Sequence, residues 1–465
     1  MGRVDLAVAI AVAALVPAAA AGGGTAAGAA GAMATGARAA GARAGGATAL
    51  EDSAGGKVVG LASDGLGFCA LLASGSVRCW GTNQYGALGV GPATSTSDVP
   101  VTVKGLSQAA SVVGSRGGVY GYCATLAGGK VSCWGLAGSA STDGAVAVPG
   151  LSGATSLASD GVGFCAVVSG GKVGCWGSGS SGALGNGSFT TNTNTPVTVT
   201  GLTGATLVAS DRDGSFCALV AAGRVACWGN GAGGALGDGS SNEIGSATPK
   251  RVQGLSGATG LASDYTGYCA RLRSGTARCW GNDSEGGLGN GATAPRIEDA
   301  PVAVKGLTGA ERLLGDGYAG NGYCALLASG GVSCWGSNAA GALGNGGSEA
   351  LSDVPVGVHG VSGASLLAES PGDFCAGGRS GAECWGTNDY GQLGTGSSAS
   401  GSGSAVPVEG LRDVTSLVGG GQAFCAVVSG GVWCWGDDVY GQLGGGAAHK
   451  AFASDVPVQV SGLAS

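Results

Sequence analysis

The chain has 465 residues, of which 101 are Gly and only 9 are Trp, 9 Tyr and 7 Phe. Glycine at roughly three times its ordinary frequency excludes a helical bundle or a coiled coil. The net charge of −7 and the lack of any basic run exclude a nucleic-acid binder, which needs clustered Lys and Arg. Only two histidines occur, His359 and His449, and we predict both to be surface residues. Because only two histidines are available for acid–base chemistry, we expect that this protein is not an enzyme and binds no cofactor.

The chain begins with the pattern of a secretory signal peptide, residues 1–21. Leu6 to Val16 are uninterruptedly apolar, and Pro17 then leads into alanines that offer cleavage near Ala20 or Ala21. An uncleaved membrane anchor is the alternative, but a spanning helix needs roughly 20 apolar residues. Residues 22–56 are rich in Ala and Gly and predict a disordered linker. We therefore expect a secreted or cell-envelope protein with no stable membrane span after cleavage.

Residues 57–465 contain one sequence motif that is repeated eight times. The tripeptide Cys-Trp-Gly marks each unit, and a Gly-x-Leu-Gly block follows it in every unit except the second. A period near 50 residues, built of short β-type segments and Gly turns, predicts an all-β fold, a β-propeller in which each unit is one blade. The unit tryptophans are expected to pack between blades. The repeat region begins with the start of a unit at residues 57–64 and ends with the close of one at residues 456–463, which predicts closure by pairing of the N- and C-terminal strands.

The sixteen cysteines fall into eight local pairs, one in each unit. In the first unit, a three-residue loop from Ala73 to Gly75 places Cys69 opposite Cys79 on antiparallel strands, close enough for a disulfide. The last two units are one residue shorter, and a two-residue loop restores the same opposition. Zinc or redox sites are the alternative, but they use closer Cys spacing. The predicted disulfides, which indicate an oxidising compartment, are Cys69–Cys79, Cys123–Cys133, Cys165–Cys175, Cys217–Cys227, Cys269–Cys279, Cys324–Cys334, Cys375–Cys384 and Cys425–Cys434.

Two units, AFCAVVSGGVWCWGDDVYGQLGGG from Ala423 and FCALLASGSVRCWGTNQYGALGVG from Phe68, resemble the regulator of chromosome condensation repeat. The resemblance covers residues 57–465 and implies a propeller, usually of seven blades. Eight units are present here, so we expect eight blades, with seven as the alternative. Family repeats usually carry a His two residues before the first Cys of each pair, and this chain has none there.

The best-known family member exchanges guanine nucleotide on a small nuclear GTPase, a role that does not fit an exported, acidic, disulfide-bonded chain. Secreted bacterial relatives, among them a propeller that inhibits β-lactamases, look closer to this chain. Fold alone transfers neither activity.

Six acidic residues recur five to eight residues before the first Cys of their units. Propeller symmetry places equivalent loops around one rim, so one interpretation is an acidic rim that holds a cation or a basic partner. The alternative is that each carboxylate only supports its own turn by an Asx-type hydrogen bond. These residues are Asp64, Asp160, Asp211, Asp264, Asp316 and Glu369.

Three tyrosines occupy the position five residues after the unit Trp, in units seven, eight and one. Tyr390, Tyr440 and Tyr85 are consecutive once the ring closes, so we predict an aromatic sector on an otherwise small and polar rim. Local packing is the alternative role.

Two classes of function remain for such a ring. We favour a monomeric, non-catalytic scaffold whose loops bind a protein or a glycan outside the cytoplasm, with inhibition of a secreted enzyme as a variant. The other class is a secreted enzyme with carboxylates from several blades at the channel.

Overall fold

The computed structural model describes residues 56–463 apart from 93, 116–119, 138–140, 191, 241–243, 295, 317–321, 398 and 450. The predicted leader and all but the last residue of the predicted linker lie outside the described residues. The rest forms eight antiparallel sheets, each of four consecutive strands. The prediction of an all-β propeller with eight blades is therefore confirmed.

Blades 1 to 4 contain β1 (Val58–Ser63), β2 (Gly67–Leu72), β3 (Val77–Thr82), β4 (Thr96–Thr102); β5 (Ala109–Ser115), β6 (Gly121–Leu126), β7 (Val131–Leu136), β8 (Ser141–Ala147); β9 (Ser156–Ser159), β10 (Gly163–Val168), β11 (Lys172–Gly177), β12 (Thr193–Thr198); and β13 (Ala205–Ser210), β14 (Ser215–Val220), β15 (Arg224–Gly229), β16 (Ser246–Arg251).

Blades 5 to 8 contain β17 (Ala258–Ser263), β18 (Gly267–Leu272), β19 (Ala277–Asn282), β20 (Ile297–Ala303); β21 (Ala310–Gly315), β22 (Gly322–Leu327), β23 (Val332–Ser337), β24 (Leu351–Gly357); β25 (Ala364–Ser370), β26 (Asp373–Gly378), β27 (Gly381–Thr387), β28 (Gly401–Pro407); and β29 (Val414–Gly420), β30 (Ala423–Val428), β31 (Gly431–Asp437), β32 (Ala453–Gln459). Short single-turn helices occur at Gln84–Gly86, Ser169–Gly171, Ser180–Gly182, Ala221–Gly223, Ala232–Gly234, Ala339–Gly341 and Gly446–Ala448.

The first strand of each blade lines the centre of the ring. First strands of successive blades contact one another all the way round, from β1 to β29 and back to β1. In the described part of the chain, no helix is long and apolar enough to cross a membrane.

The ring closes without strand exchange, which corrects the predicted pairing of the terminal strands. β1 hydrogen bonds to β2 and β32 to β31, so blades 1 and 8 each keep four strands of their own. Side chains close the ring instead: Val58, Phe68 and Trp80 share one core cluster with Cys425 and other residues of blade 8. The last junction is therefore built, like the junction of blades 1 and 2, by side chains of adjacent blades in one core.

An indole hydrogen bond joins most blades to the blade before them. The buried Trp134 of blade 2 donates its Nε1–H to the carbonyl oxygen of Ala87, 3.0 Å away in the Gly-x-Leu-Gly turn of blade 1. Trp80 closes the ring by donating to Gln442 of blade 8 over 2.7 Å. The same bond is made by Trp228, Trp280, Trp335, Trp385 and Trp435. Each Trp also stacks on the aromatic residue that faces it on the second strand of its blade.

All eight predicted disulfides are present, with Cα atoms 4.0 to 4.1 Å apart, and no cysteine is free. Cys69 lies directly opposite Cys79, and in the shorter hairpin of blade 8 Cys425 lies opposite Cys434. The loop argument from the sequence is thus confirmed.

Removing the disulfide of blade 8 should lower the free energy of unfolding by at most about 2–3 kcal/mol, because its short loop, with a sequence separation of 9, limits the entropy that the bridge removes from the unfolded chain. We expect this for Cys425→Ser with Cys434→Ser, measured by urea unfolding. Mass mapping of the unreduced protein should find eight bridges, each within one unit; bridges between units would contradict the hairpin register.

Candidate functional site

The six acidic residues of the predicted acidic rim are all buried. Each is at most 5% exposed, at or just before the turn that follows the first strand of its blade. Asp64 Oδ1 accepts the backbone N–H of Leu66 over 3.1 Å, and Asp160 Oδ1 accepts that of Val162 over 3.0 Å. Asp211 and Asp264 make the same type of bond. Each of these four carboxylates therefore supports its own turn by an Asx-type hydrogen bond.

Burial also raises the pKa of the carboxyl groups in these turns. Removal from water raises the pKa of Asp64, Asp211 and Asp264 to about 7 and that of Asp160 to about 6, against backbone hydrogen bonds that lower it. Among the described residues, no group of three or more His, Cys, Asp or Glu is placed to hold a metal ion. The cation interpretation of the rim therefore has no geometric support.

The close approach of the first strands at the centre of the ring explains why these acidic residues are buried. A Cβ atom built on Gly114 would lie 2.1 Å from the carbonyl oxygen of Ser63 on the neighbouring first strand, so only Gly permits this approach. Hydroxyl groups then link blades: Ser210 Oγ donates to the Ser159 carbonyl and Ser263 Oγ donates to that of Ser210, both over 2.5 Å. The turns that carry the acidic residues are consequently packed against their neighbours.

One ion pair crosses the channel. Arg212, in the turn after β13 of blade 4, places Nη2 3.0 Å from Oε1 of Glu369 on β25 of blade 7. Glu369 is 4% exposed and Arg212 21% exposed at the side chain. Arg212 also lines a cavity of about 330 Å³ between the first strands of several blades. This pair therefore joins blades three positions apart.

The three predicted tyrosines lie on the loops between the third and fourth strands and are exposed: Tyr85 by 46%, Tyr390 and Tyr440 by 40% each. Tyr85 and Tyr440 line one open cavity of about 520 Å³, which the structure thus places between blades 8, 1 and 2. Tyr85 has a left-handed backbone (φ 57°), as do Ser181 and Ala340 at the equivalent positions. The loop, rather than the tyrosine, therefore sets this conformation.

The loop that carries each tyrosine packs against an aspartate on the fourth strand of the next blade, a pairing that no local sequence pattern indicates. Asp143 of β8 lines the cavity of Tyr85 and Tyr440, and Asp455 of β32 lines a second cavity with Tyr390. Asp98 of β4 packs against the Gly that follows Tyr440. We call these six residues the tyrosine–aspartate sector: Tyr85, Tyr390, Tyr440, Asp98, Asp143 and Asp455.

Apolar side chains extend the sector on blade 8. Val439 is 50% and Phe452 77% exposed, and the carbonyl oxygen of Phe452 accepts the backbone N–H of Asp438 next to Val439.

The two histidines, both predicted to be surface residues, differ in exposure. The Nδ1 of His449 lies 2.9 Å from Asp438 Oδ2, and its side chain is only 16% exposed. His359 is exposed, as predicted.

The architecture defines a disulfide-bonded β-propeller of eight whole blades. Residues 74–124 match the family model described as "Regulator of chromosome condensation (RCC1) repeat". E3 ubiquitin-protein ligase HERC2 of Homo sapiens and that of Mus musculus are each 30% identical to this chain over 252 residues, which is 51% of this chain. The match covers 5% of the length of these curated relatives.

Solved structures show the same fold. Yeast RCC1 (Prp20), solved with Kap60, is 18% identical with a TM-score of 0.55, covering 83% of each chain. Human WBSCR16 is 19% identical with a TM-score of 0.56, covering 83% of this chain and 94% of that chain. Prp20p from Saccharomyces cerevisiae, described with its binding properties to Gsp1p and histones, is 18% identical with a TM-score of 0.53, over 64% of this chain and 76% of that chain. The comparisons thus show a β-propeller fold for this chain and a regulator of chromosome condensation repeat at residues 74–124.

Stability should fall as pH rises from about 4 to about 8. The buried aspartates have folded-state pKa values above the ordinary 3.8, so in this interval the folded state holds protons that the unfolded state has released. Their contribution is complete below pH 4 and is lost as pH passes the folded-state values. Asp264→Asn, which mimics the protonated acid, should flatten this dependence in urea unfolding; an unchanged slope would contradict the raised pKa.

Breaking the channel ion pair should cost about 2 kcal/mol of unfolding free energy, because one partner is buried and the other partly solvated. We expect a coupling of about 1–2 kcal/mol between Arg212→Met and Glu369→Gln in a double-mutant cycle. The exposed pair Arg296–Glu298, with side chains 49% and 22% exposed, is the control and should show less coupling. Equal coupling energies in both pairs would contradict the prediction that the channel pair stabilises the fold more than an exposed pair does.

Proposed function

We propose that this propeller is a non-catalytic scaffold outside the cytoplasm that binds a protein partner through the tyrosine–aspartate sector. One observation carries the proposal: at three successive blade junctions, a loop with an exposed tyrosine packs against an aspartate on the fourth strand of the following blade. The eight disulfides are compatible with an oxidising environment and support the proposed location.

The chemistry of the sector favours a partner with cationic side chains. A tyrosine ring attracts a guanidinium or ammonium group to its face, and an adjacent carboxylate adds a charge-assisted hydrogen bond. Tyrosine also offers a large and stiff contact surface at small entropic cost, which makes it frequent at binding hot spots. The apolar surface of Val439 and Phe452 next to Tyr440 extends the contact area.

Replacing the three tyrosines should abolish partner capture without unfolding the ring. The change is Tyr85→Ser with Tyr390→Ser and Tyr440→Ser. Blade 3 already carries Ser181 at this loop position with the same backbone conformation as Tyr85, so we expect the melting temperature to stay nearly unchanged. Capture is measured from culture medium or envelope extract, and Ser181→Ala with Glu285→Ser on the far sector is the control. Normal capture by the triple variant would refute the proposal.

The charge of the sector can be tested separately with a matched pair. Asp143→Asn removes a carboxylate beside Tyr85, whereas Asp353→Asn removes the equivalent carboxylate of blade 6, beside a loop that carries Glu285 instead of tyrosine. We expect only Asp143→Asn to weaken binding of the captured partner, about tenfold at low salt. Equal weakening by both variants would indicate unspecific attraction, and competition by free oligosaccharide would assign the sector to a glycan instead.

A further inference from the structure

One blade junction lacks the hydrogen bond that joins the other blades. Trp176 of blade 3 is 1% exposed, and its indole Nε1 has no hydrogen-bond partner among the residues that the structure describes. The cause lies in blade 2, whose unit has no Gly-x-Leu-Gly block. Only residues 137–140 join the paired ends Leu136 and Ser141, whereas residues 83–95 join the equivalent positions of blade 1. Blade 2 is therefore too short to supply the turn from its own chain.

A cavity lies where that turn sits in the other junctions. It has a volume of about 230 Å³ and is lined by Trp176 together with Cys133, Thr142, Val146 and Val148. The Oγ1 of Thr142 is buried and also lacks a partner within the described ranges of the chain. The core cluster of this junction has seven buried members, against eleven to fourteen in each of the others. A buried donor without a partner costs about 1–3 kcal/mol, so an occupant that accepts from Trp176 is favoured.

The occupied junctions define the chemistry of the missing occupant. In blade 3 the carbonyl oxygen of Ala183 accepts the indole N–H of Trp228 over 2.9 Å, and the next residue, Leu184, is buried in the shared core. Gly185 then passes over the indole ring with φ 63°, so close that a Cβ atom there would lie 2.9 Å from Cδ1 of Trp228. The occupant must therefore supply a carbonyl group, an apolar side chain of the size of Leu, and a glycine.

We propose that the vacant junction between blades 2 and 3 is a docking slot for a surface turn of another protein with the sequence Ala-Leu-Gly or a close equivalent. The carbonyl oxygen of its first residue would accept from Trp176, and its leucine would fill the cavity. Binding would complete the hydrogen bond and the core that the other junctions form within the chain. This site shares no residue with the tyrosine–aspartate sector, so loss of partner capture by the tyrosine variants leaves it intact.

The test uses the full chain and the peptide Gly-Ala-Leu-Gly-Asn-Gly, with both ends blocked, which is the sequence of residues 182–187. Indole N–H resonances are followed by ¹H–¹⁵N NMR, and the Trp176 signal is assigned from Trp176→Phe. We expect this signal alone to shift downfield as the peptide binds, and Trp176→Phe to weaken binding at least tenfold. Trp228→Phe, the same change at a slot filled by the chain itself, should bind the peptide as the unchanged protein does.

Peptide variants and a graft make the outcome decisive. A peptide with Ala in place of the second Gly should not bind, because its methyl group would clash with the indole, and one with Asn in place of Leu should also fail. Replacing residues 137–140 by residues 179–191 of blade 3 should fill the slot within the chain and abolish peptide binding. The proposal is overturned if the Trp176 signal does not respond at millimolar peptide, if the Ala peptide binds equally, or if Trp176 is already hydrogen-bonded in the unliganded chain.

Discussion

The bond from an indole N–H to a carbonyl group of the preceding blade is the interaction on which the ring depends. A buried donor must find an acceptor, and Trp134 finds its acceptor only in the neighbouring blade, at Ala87. The donor is thus satisfied in the assembled ring but not in an isolated blade. The same bond fixes the Gly-x-Leu-Gly turn, whose second Gly must pass over the indole, as Gly89 does over Trp134. Sequence repetition here reflects one geometric requirement repeated round the ring.

Disulfides complement this interaction inside each blade. The blades consist largely of small residues, and each core cluster holds few large side chains besides its tryptophan and facing aromatic residue. Little apolar surface is available for burial, so part of the stability comes from cross-links that restrict the unfolded chain. At the centre of the ring, hydrogen bonds from hydroxyl groups and close backbone contacts hold the first strands together. Cohesion between blades and cohesion within blades thus have separate physical origins.

Features confined to one hairpin could be predicted from the sequence, whereas features that join blades could not. The register that pairs Cys69 with Cys79 follows from loop length alone, and the structure has it. The burial of Asp64 depends on Gly114 of the next blade, which brings another strand against it, so the sequence of its own hairpin does not indicate it. Asp143 beside Tyr85 and Glu369 beside Arg212 come from other blades, and no local pattern indicates such pairs. The missing block of blade 2 was visible in the sequence, but its consequence for Trp176 required the structure.

The ring closes by side-chain packing, and each blade consists of four consecutive strands. The sheets therefore do not depend on which two blades lie at the chain ends. A propeller that shares one sheet between its two termini has a unique seam, whereas here the junction of blades 8 and 1 uses the same indole bond and the same kind of core as its neighbours. Circular permutants opened between any two blades therefore preserve every sheet. By the same logic, duplication of a whole unit can lengthen such a gene without breaking a hydrogen-bond ladder, a simple route to variation in blade number.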